Sequence, residues 1–322
     1  MISAAAPTRR STGGRLGLVA VAIVLSVGFV SCSGSSSDTT ASTTTTTASS
    51  TTTEALPPTP LPPDRPIEVH VPPGYEKGTP APLLIMLHGF GASGAVQDAY
   101  LRLTPAVDER TMLYVYPDGT EDQLGRRFWN ATEACCGGPD ASVDDSAYLA
   151  AVIADVAADY DVDPKRIYVM GHSNGGFMSY RMACDHADVV AAVASLEGAT
   201  FDDPADCAPS EPVAALQVHG TADETITFEG DEIAGRRYPG AVETVETWAA
   251  YNGCGDAPDS PAPPNRDVVA DLPPATITRY SDGCDPGGAA ELWTQPDGVH
   301  IPQWSDSFIG QVLDWLLEHP KP

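Results

Sequence analysis

From about Asp64 onward the chain alternates between short apolar segments and longer segments with apolar residues at helical spacing. The apolar run 83–87 is typical of a strand buried inside a parallel sheet. The segment after Asp145 places Leu149, Val152 and Val156 on one face of a helix. This alternation predicts an α/β fold with a mostly parallel, doubly wound sheet in a single domain. Further strands are predicted at 67–71 (an edge strand), 112–116, 167–170, 213–218, 276–280 and 291–294, and further helices at 177–184, 242–251 and 308–317, while 189–196 is predicted to combine a helix end with a strand.

The amino-terminal segments have different compositions. Residues 1–31 combine three arginines with an apolar run and are expected to be a lipoprotein signal peptide. The sequence before Cys32 resembles the site at which bacterial lipoproteins are cleaved and lipidated, although Phe29 stands where Leu is usual. The alternative is ordinary cleavage that discards Cys32. Residues 32–63 are rich in Ser, Thr and Pro, which predicts a disordered tether to a catalytic domain at 64–322.

The charge balance excludes several classes of partner. The chain of 322 residues has 17 basic and 44 acidic side chains, a formal net charge of −27. Such a surface repels nucleic acid and anionic membranes, so we expect a membrane association only through lipid on Cys32. The sequence does not indicate an oligomeric state.

The cysteines indicate an oxidising compartment. Apart from Cys32 there are six, an even number typical of disulfides in an exported chain. One pair, Cys184 and Cys207, brackets a segment that leaves one helix and returns toward a strand. Another pair, Cys254 and Cys284, brackets a Pro-rich excursion. The adjacent Cys135 and Cys136 would then form a vicinal bridge or remain reduced. Metal-binding spacings such as C-x-x-C are absent, so no metal is expected.

The strongest chemical motif is Gly-His-Ser-Asn-Gly-Gly at 171–176. It lies between an apolar strand and a helical segment, which is the context that a G-x-S-x-G nucleophile turn requires. A sharp turn there exposes the Ser173 hydroxyl, while glycines allow close packing of the strand and helix. The alternative is a glycine-rich turn with an inactive serine. We interpret Ser173 as a nucleophile.

A serine nucleophile needs a general base and an acid that orients the base. In α/β folds with this kind of serine turn, the acid and then the histidine base follow the serine in the sequence. His300 lies in a loop directly after a predicted strand and is the expected base. Asp223 follows another strand and is the expected acid, with Glu224 as its nearest rival. We expect His219, which precedes this acid, to form hydrogen bonds within its loop.

When a serine attacks a carbonyl group, the oxygen that becomes negatively charged in the transition state also needs hydrogen-bond donors. The backbone N–H groups of Asn174, after the nucleophile, and of Phe90, in the loop after the strand 83–87, are the expected donors. Nearby side chains suggest a substrate pocket formed by His88, Trp129 and Trp304, although core packing is the commoner role of a single Trp.

These motifs jointly resemble one family over about residues 65–318. They are Val71-Pro72-Pro73-Gly74-Tyr75, Leu87-His88-Gly89-Phe90-Gly91, Tyr116-Pro117-Asp118-Gly119, Cys135-Cys136-Gly137, Val143-Asp144-Asp145, the serine turn and His219-Gly220-Thr221-Ala222-Asp223. The chain is similar to the secreted polyhydroxybutyrate depolymerase and feruloyl esterase-like family, which includes LpqC-type lipoprotein esterases. The resemblance implies an α/β-hydrolase fold and a triad of Ser173, Asp223 and His300. The family's usual Gly-Gly-His is Gly298-Val299-His300 here, which leaves the base in place and changes its surroundings.

The sequence therefore predicts an exported serine esterase that hydrolyses feruloyl, acetyl or hydroxyalkanoate esters without a cofactor. Its substrate would be a small molecule or a polymer-attached ester. One alternative is a polyhydroxybutyrate depolymerase acting on polyester. Alternatives of other classes are a serine peptidase and a catalytically silent surface-binding lipoprotein. We expect soluble short-chain or aromatic esters to be preferred over solid polyester.

Overall fold

The computed structural model describes residues 61–137 and 142–322. The expected leader, most of the tether and Cys32 lie outside these residues. The main sheet has seven strands, of which only the edge strand at 276–280 is antiparallel to its neighbour. The predicted α/β fold with a mostly parallel sheet is confirmed.

The main sheet contains β1 (Ala81–Leu87), β2 (Leu113–Val115), β5 (Val162–His172), β6 (Ala192–Leu196), β7 (Ala214–Gly220), β10 (Thr276–Tyr280) and β11 (Ala290–Gln295). Their order across the sheet is β10-β11-β7-β6-β5-β1-β2. Two hairpins lie apart from it, β3 (Thr120–Glu121) with β4 (Arg127–Phe128), and β8 (Gly230–Ile233) with β9 (Arg236–Pro239). The α-helices are α1 (Gly94–Leu101), α2 (Leu103–Glu109), α3 (Asp145–Asp159), α4 (Asn174–Asp185), α5 (Ala241–Tyr251) and α6 (Phe308–Leu317).

Successive residues of the central strands enter two different cores, because side chains along a strand alternate between the faces of a sheet. Leu83 and Ile85 of β1 pack with α3, α4 and α5 on one face. Leu84 and Met86 pack with α1, α2 and α6 on the other. A strand buried on both faces must be apolar throughout, which explains the continuous apolar run that predicted β1.

The predicted edge strand at 67–71 is wrong. His70 forms a single antiparallel bridge with Tyr114 of β2, and the flanking residues form no ladder. Pro66 and Pro72 bracket the segment and have no N–H to donate, so sheet pairing cannot extend beyond it. Among helices of the described residues, none combines the length and apolar character needed to cross a bilayer.

Disulfide bonds join Cys135 to Cys136, Cys184 to Cys207 and Cys254 to Cys284. The second bond ties the loop between β6 and β7 to the end of α4, and the third joins the segment after α5 to the loop between β10 and β11. The vicinal bond lies close to the serine turn, because Asn174 Nδ2 donates to Cys135 Sγ over 3.5 Å.

Candidate active site

Ser173 occupies a sharp turn between β5 and α4. Its backbone has φ 55° and ψ −120°, a conformation that residues other than glycine rarely adopt. Space for the turn comes from glycine, since a Cβ on Gly175 would collide with the carbonyl of Leu87, and one on Gly171 with the backbone of Gly175. The Ser173 N–H donates to Leu196 O at the end of β6 over 2.8 Å. The turn is therefore anchored to the neighbouring strand.

The structure brings Ser173, His300 and Asp223 together in one hydrogen-bonded chain. His300 Nε2 lies 2.9 Å from Ser173 Oγ, and His300 Nδ1 lies 2.7 Å from Asp223 Oδ2. The residues come from the loops after β5, β11 and β7, so three distant parts of the sequence meet at the carboxyl end of the sheet. Chemically, this arrangement can move a proton from the serine hydroxyl to an imidazole that a carboxylate orients.

Asp223 is held as a carboxylate. Its Oδ1 atom accepts the backbone N–H groups of Thr225 and Ile226 at 2.8 and 3.0 Å. Burial alone would raise the pKa of Asp223, but the hydrogen bond and charge of His300 and the two N–H groups keep this pKa below its usual value. The acid is thus ionised at neutral pH, as an orienting group must be.

The loop that carries His300 is fixed by groups from two other elements. His172 Nε2 donates to the carbonyl oxygen of His300 over 2.8 Å, and Tyr100 Oη donates to the carbonyl of Pro302 over 2.7 Å. Burial, and then the nearby His300, lower the pKa of His172 to about 4. Since His172 is neutral at physiological pH, it adds no positive charge beside the base.

The two expected oxyanion donors border the serine turn. Asn174 is the first residue of α4, where backbone N–H groups have no acceptor within the helix and the helix dipole favours negative charge. Phe90 is 41% exposed beside the site. The N–H groups on either side of it donate elsewhere, Gly89 to Gln97 Oε1 and Gly91 to Arg127 O.

Three residues that the sequence suggested for a substrate pocket are buried instead. His88 and Trp129 have no exposed surface, and Trp304 is 8% exposed and stacks on Phe308 at 4.1 Å between ring centroids. Trp129 Nε1 donates to His88 O over 3.1 Å, so this Trp supports the loop that leads to Phe90. His88 and Trp129 therefore lie beneath the surface of the site and support its loops.

An open cleft of about 890 Å³ lies against Phe90. Cys136 of the vicinal disulfide, Phe201, Ile233 and Arg236 contribute to its walls. Arg236 forms an exposed ion pair with Glu133, so both apolar and polar groups face the cleft. The cleft could accept an aromatic or aliphatic group together with a polar one.

A buried cluster of Glu197, His219 and Asp223 adjoins the triad. One ligand atom from each lies within 4.8 Å of the others, the proximity that a metal site requires. The ring nitrogens of His219 are already engaged, however, since Nδ1 lies 2.9 Å from Gln217 Nε2 and Nε2 lies 2.8 Å from Ile226 O. Because Asp223 Oδ2 also binds His300, the cluster fits a hydrogen-bond network better than a metal.

Sequence reasoning did not identify Glu197 or the supporting roles of His172 and Tyr100. A signal for Glu197 was present, because it is an isolated acid that directly ends the apolar segment 189–196. His172 and Tyr100 gave no comparable signal, since their contacts are with the backbone of a loop more than 120 residues away in sequence.

A parallel sheet that places a serine in a strand-to-helix turn defines the α/β-hydrolase class of esterases. Solved structures agree with this fold, including an acetyl xylan esterase from Aspergillus awamori that is 15% identical, with a TM-score of 0.56 over 80% of this chain and 95% of that one. A thermostable esterase is 14% identical, with a TM-score of 0.51 over 80% of this chain and 60% of that one. The chain belongs to the Esterase PHB depolymerase family, whose model matches residues 67–247.

Curated relatives carry esterase names. Feruloyl esterase B of Piromyces equi is 30% identical over 212 residues, which is 62% of this chain and 38% of the relative. Feruloyl esterase D of Neurospora crassa is 27% identical over 251 residues, which is 74% of each protein. The chain thus spans well under half of the Piromyces protein. The family model and the curated relatives thus both carry esterase names, and the fold agrees with them.

Proposed function

We propose that this protein is an extracellular serine esterase that cleaves carboxylic esters through an acyl-enzyme. The single observation that carries the proposal is the pair of hydrogen bonds that join Ser173 Oγ to His300 and His300 to Asp223, with donor–acceptor distances of 2.9 and 2.7 Å. Glu224, the rival acid, takes part in neither hydrogen bond. The family match and the esterase names of the relatives support the same reaction class.

The mechanism follows from the positions of these atoms. Ser173 Oγ attacks the ester carbonyl while His300 Nε2 takes its proton, and Asp223 stabilises the resulting imidazolium through Nδ1. The N–H groups of Phe90 and Asn174 bind the oxyanion. The imidazolium then returns the proton to the leaving alcohol, and water hydrolyses the acyl-serine by the same proton transfers. The products are one acid and one alcohol.

The proposed substrates are soluble esters with a short-chain or aromatic acyl group, such as acetyl or feruloyl esters. Support comes from the cleft against Phe90, where Phe201 and Ile233 provide apolar walls beside the proposed oxyanion donor. Relatives named feruloyl esterases favour this class. Polyester hydrolysis is the second candidate, because the matching family model is that of polyhydroxybutyrate depolymerases.

The triad is tested by hydrolysis of p-nitrophenyl acetate. Ser173→Ala and His300→Ala should each remove nearly all turnover, and the double variant should lose little more, because residues that act in one step are not additive. Ser179→Ala is the matched control, since Ser179 is a buried serine of α4, the helix that follows Ser173, and its hydroxyl donates to the Gly175 carbonyl. If His300→Ala keeps most turnover while His219→Ala loses it, the assignment of the base is wrong.

Substrate choice is tested with p-nitrophenyl acetate and butyrate, methyl ferulate and a polyhydroxybutyrate film. We expect rapid turnover of the soluble esters and little clearing of the film. Efficient clearing with poor turnover of all soluble esters would favour the polyester candidate instead. A burst of nitrophenol equal to the enzyme concentration would demonstrate the acyl-enzyme.

A further inference from the structure

A second buried carboxyl group lies next to the triad acid. Glu197 follows β6 directly and is 1% exposed. Its Oε2 atom accepts the N–H of Gly220 over 3.0 Å, and one of its carboxyl oxygens lies within 4.8 Å of a carboxyl oxygen of Asp223. A buried acid in this position needs a partner for each of its oxygens.

The backbone at positions 196 and 197 is hydrogen-bonded to the serine turn on one side and to β7, the strand that leads to Asp223, on the other. Leu196 O accepts the N–H of Ser173 over 2.8 Å, and the N–H of Glu197 donates to Val218 of β7 over 2.9 Å. Glu197 has φ 54°, a left-handed conformation that non-glycine residues rarely adopt. The chain therefore holds an unusual backbone where the serine turn and the acid loop meet, and strain of this kind is often retained at functional positions.

No positive charge in this cluster balances a second carboxylate. The titratable groups facing Glu197 are Asp223 and His219, from β7 and the loop after it, and Tyr100 of α1. Gln217 sets the state of His219, because its oxygen accepts the Tyr180 hydroxyl and its nitrogen faces His219 Nδ1. His219 therefore carries its proton on Nε2, which donates to Ile226 O, and burial lowers its pKa to about 4.

Glu197 is consequently the group that must stay neutral. Burial, and then the charge of Asp223, raise the pKa of Glu197 well above its usual range, while the opposing Gly220 N–H is too weak to offset them. Asp223 is the ionised member of the pair, because His300 and two backbone N–H groups stabilise its charge. One proton shared by two adjacent carboxyls is the arrangement expected when both are buried.

We propose that Glu197 is a positioning residue whose carboxyl O–H donates to the Asp223 carboxylate and so fixes the acid that orients His300. This inference rests on the proposed esterase function. In that role Asp223 binds the two loop N–H groups, His300 and Glu197 at once, so the carboxylate cannot rotate away from the imidazole. Glu197 itself touches neither the substrate nor the reacting atoms.

The role predicts a specific pH dependence. When Glu197 loses its proton at alkaline pH, it can no longer donate, and two carboxylates then repel each other beside His300. Wild-type kcat should fall on the alkaline side for this reason. Gln at this position keeps a donor toward Asp223 and an acceptor for Gly220 but cannot ionise, so its alkaline decline should be absent or displaced upward by about one pH unit or more.

The experiment compares Glu197→Gln and Glu197→Met on p-nitrophenyl acetate between pH 5 and 10. Gln should keep kcat within about threefold of wild type at neutral pH. Met has similar length but no hydrogen bonds, so kcat should fall by up to about 100-fold with little change in KM, because the triad is misplaced. Glu291→Gln is the control, since Glu291 is equally buried but pairs with Arg279 and Trp293 on β10 and β11.

The outcomes separate this inference from the proposed function. Equal losses in the Gln and Met variants, or wild-type pH profiles in both, would overturn the positioning role. Either result leaves the esterase mechanism intact as long as Ser173→Ala is inactive and the wild type is active. If the wild type has no esterase activity, the proposed function fails first. Should Met at position 197 prevent folding, the alkaline profile of the Gln variant still decides.

Discussion

The side chain of Asn174 provides a sharp test of how the site is held. Asn174 is 1% exposed, and its Oδ1 accepts the N–H of Trp129 over 2.7 Å while Nδ2 donates to the carbonyl of the same residue over 2.8 Å. Asn174→Ala would leave both backbone groups of Trp129 buried without these partners. Such groups cost about 2 kcal/mol each, so the free energy of unfolding should fall by about 4 kcal/mol.

Asn252 is a matched control within the same chain. It is also 1% exposed, and it binds the N–H and C=O of Val213 at 3.0 and 2.9 Å. A third bond goes to the carbonyl of Ala289, which keeps the N–H of Ala215 as a partner if Asn252 is removed. Asn252→Ala thus leaves two groups unpaired as well and should cost about 4 kcal/mol.

The two variants should differ in catalysis. Trp129 donates to His88 O and so supports the loop that carries Phe90. Displacement of Trp129 in Asn174→Ala should therefore lower kcat/KM by about tenfold or more. The backbone N–H of residue 174 remains in this variant, so the oxyanion donor itself is not removed. Asn252 lies at the amino ends of β7 and β11, opposite the triad, and kcat/KM should stay within about twofold of wild type.

Urea unfolding followed by Trp fluorescence, with disulfides intact, gives the stabilities, and p-nitrophenyl acetate hydrolysis at 25 °C gives kcat/KM. A loss below about 1 kcal/mol in Asn174→Ala would refute the hydrogen-bond reasoning. Equal losses of kcat/KM in both variants would mean that general loosening, and not Trp129, controls the site.

Three further predictions concern stability and placement. His172 has a pKa near 4 in the folded protein, against an ordinary value of 6.5, so between pH 4 and 6.5 the folded state binds fewer protons than the unfolded state. Its contribution of about 3 kcal/mol to the free energy of unfolding is therefore present above pH 6.5 and is lost as the pH falls to 4. Unfolding of His172→Gln, measured at pH 7 and 4, should therefore show about 3 kcal/mol less acid destabilisation than wild type, and equal pH dependence would contradict the assignment. Replacing Cys184 and Cys207, 23 residues apart, by Ala should cost about 3 to 4 kcal/mol in urea unfolding by the chain-entropy model, and an unchanged midpoint would exclude a stabilising bond. If Cys32 carries lipid, the mature protein should enter the detergent phase of a phase separation and Cys32→Ala should not, whereas identical aqueous partition of both would reject the anchor.

The sequence predicted those features that local pattern determines. The buried parts of central strands are mostly apolar, so β1, the segment 167–170 of β5 and the start of β7 were recognisable as short apolar runs. The serine turn was recognisable because its glycines are required by close backbone contacts within the turn itself. The acid and base candidates followed from their positions after strands, which is where a parallel sheet collects its loops.

Features that depend on distant contacts were not predictable. Trp129 and Trp304 were assigned to a pocket, but local sequence does not reveal which face of a loop meets the core, and both are buried. The segment 67–71 alternates like a strand, yet its pairing fails because prolines flank it. The cleft walls come from Phe90, Phe201 and Ile233, in three separate loops or hairpins whose convergence no periodicity indicates.

The order of the strands explains how the site spans the sheet. β5, β6, β7 and β11 are neighbours, and Ser173, Glu197, Asp223 and His300 follow them in that order. β11 and β5 are three positions apart in the sheet and so separated by about 14 Å, which means that the loop after β11 must fold back over β7 before His300 reaches Ser173.

A close backbone contact makes this return possible. The carbonyl of Gly298 accepts the N–H of Ala222 over 2.8 Å, and a Cβ on Gly220 would collide with the backbone of Gly298. The same Gly220 donates its N–H to Glu197. A side chain at position 220 would therefore lift the His300 loop away from Ser173 and disturb the carboxyl that adjoins Asp223. We therefore expect the close contact between Gly220 and Gly298 to be needed for the 2.9 Å approach of His300 Nε2 to Ser173 Oγ.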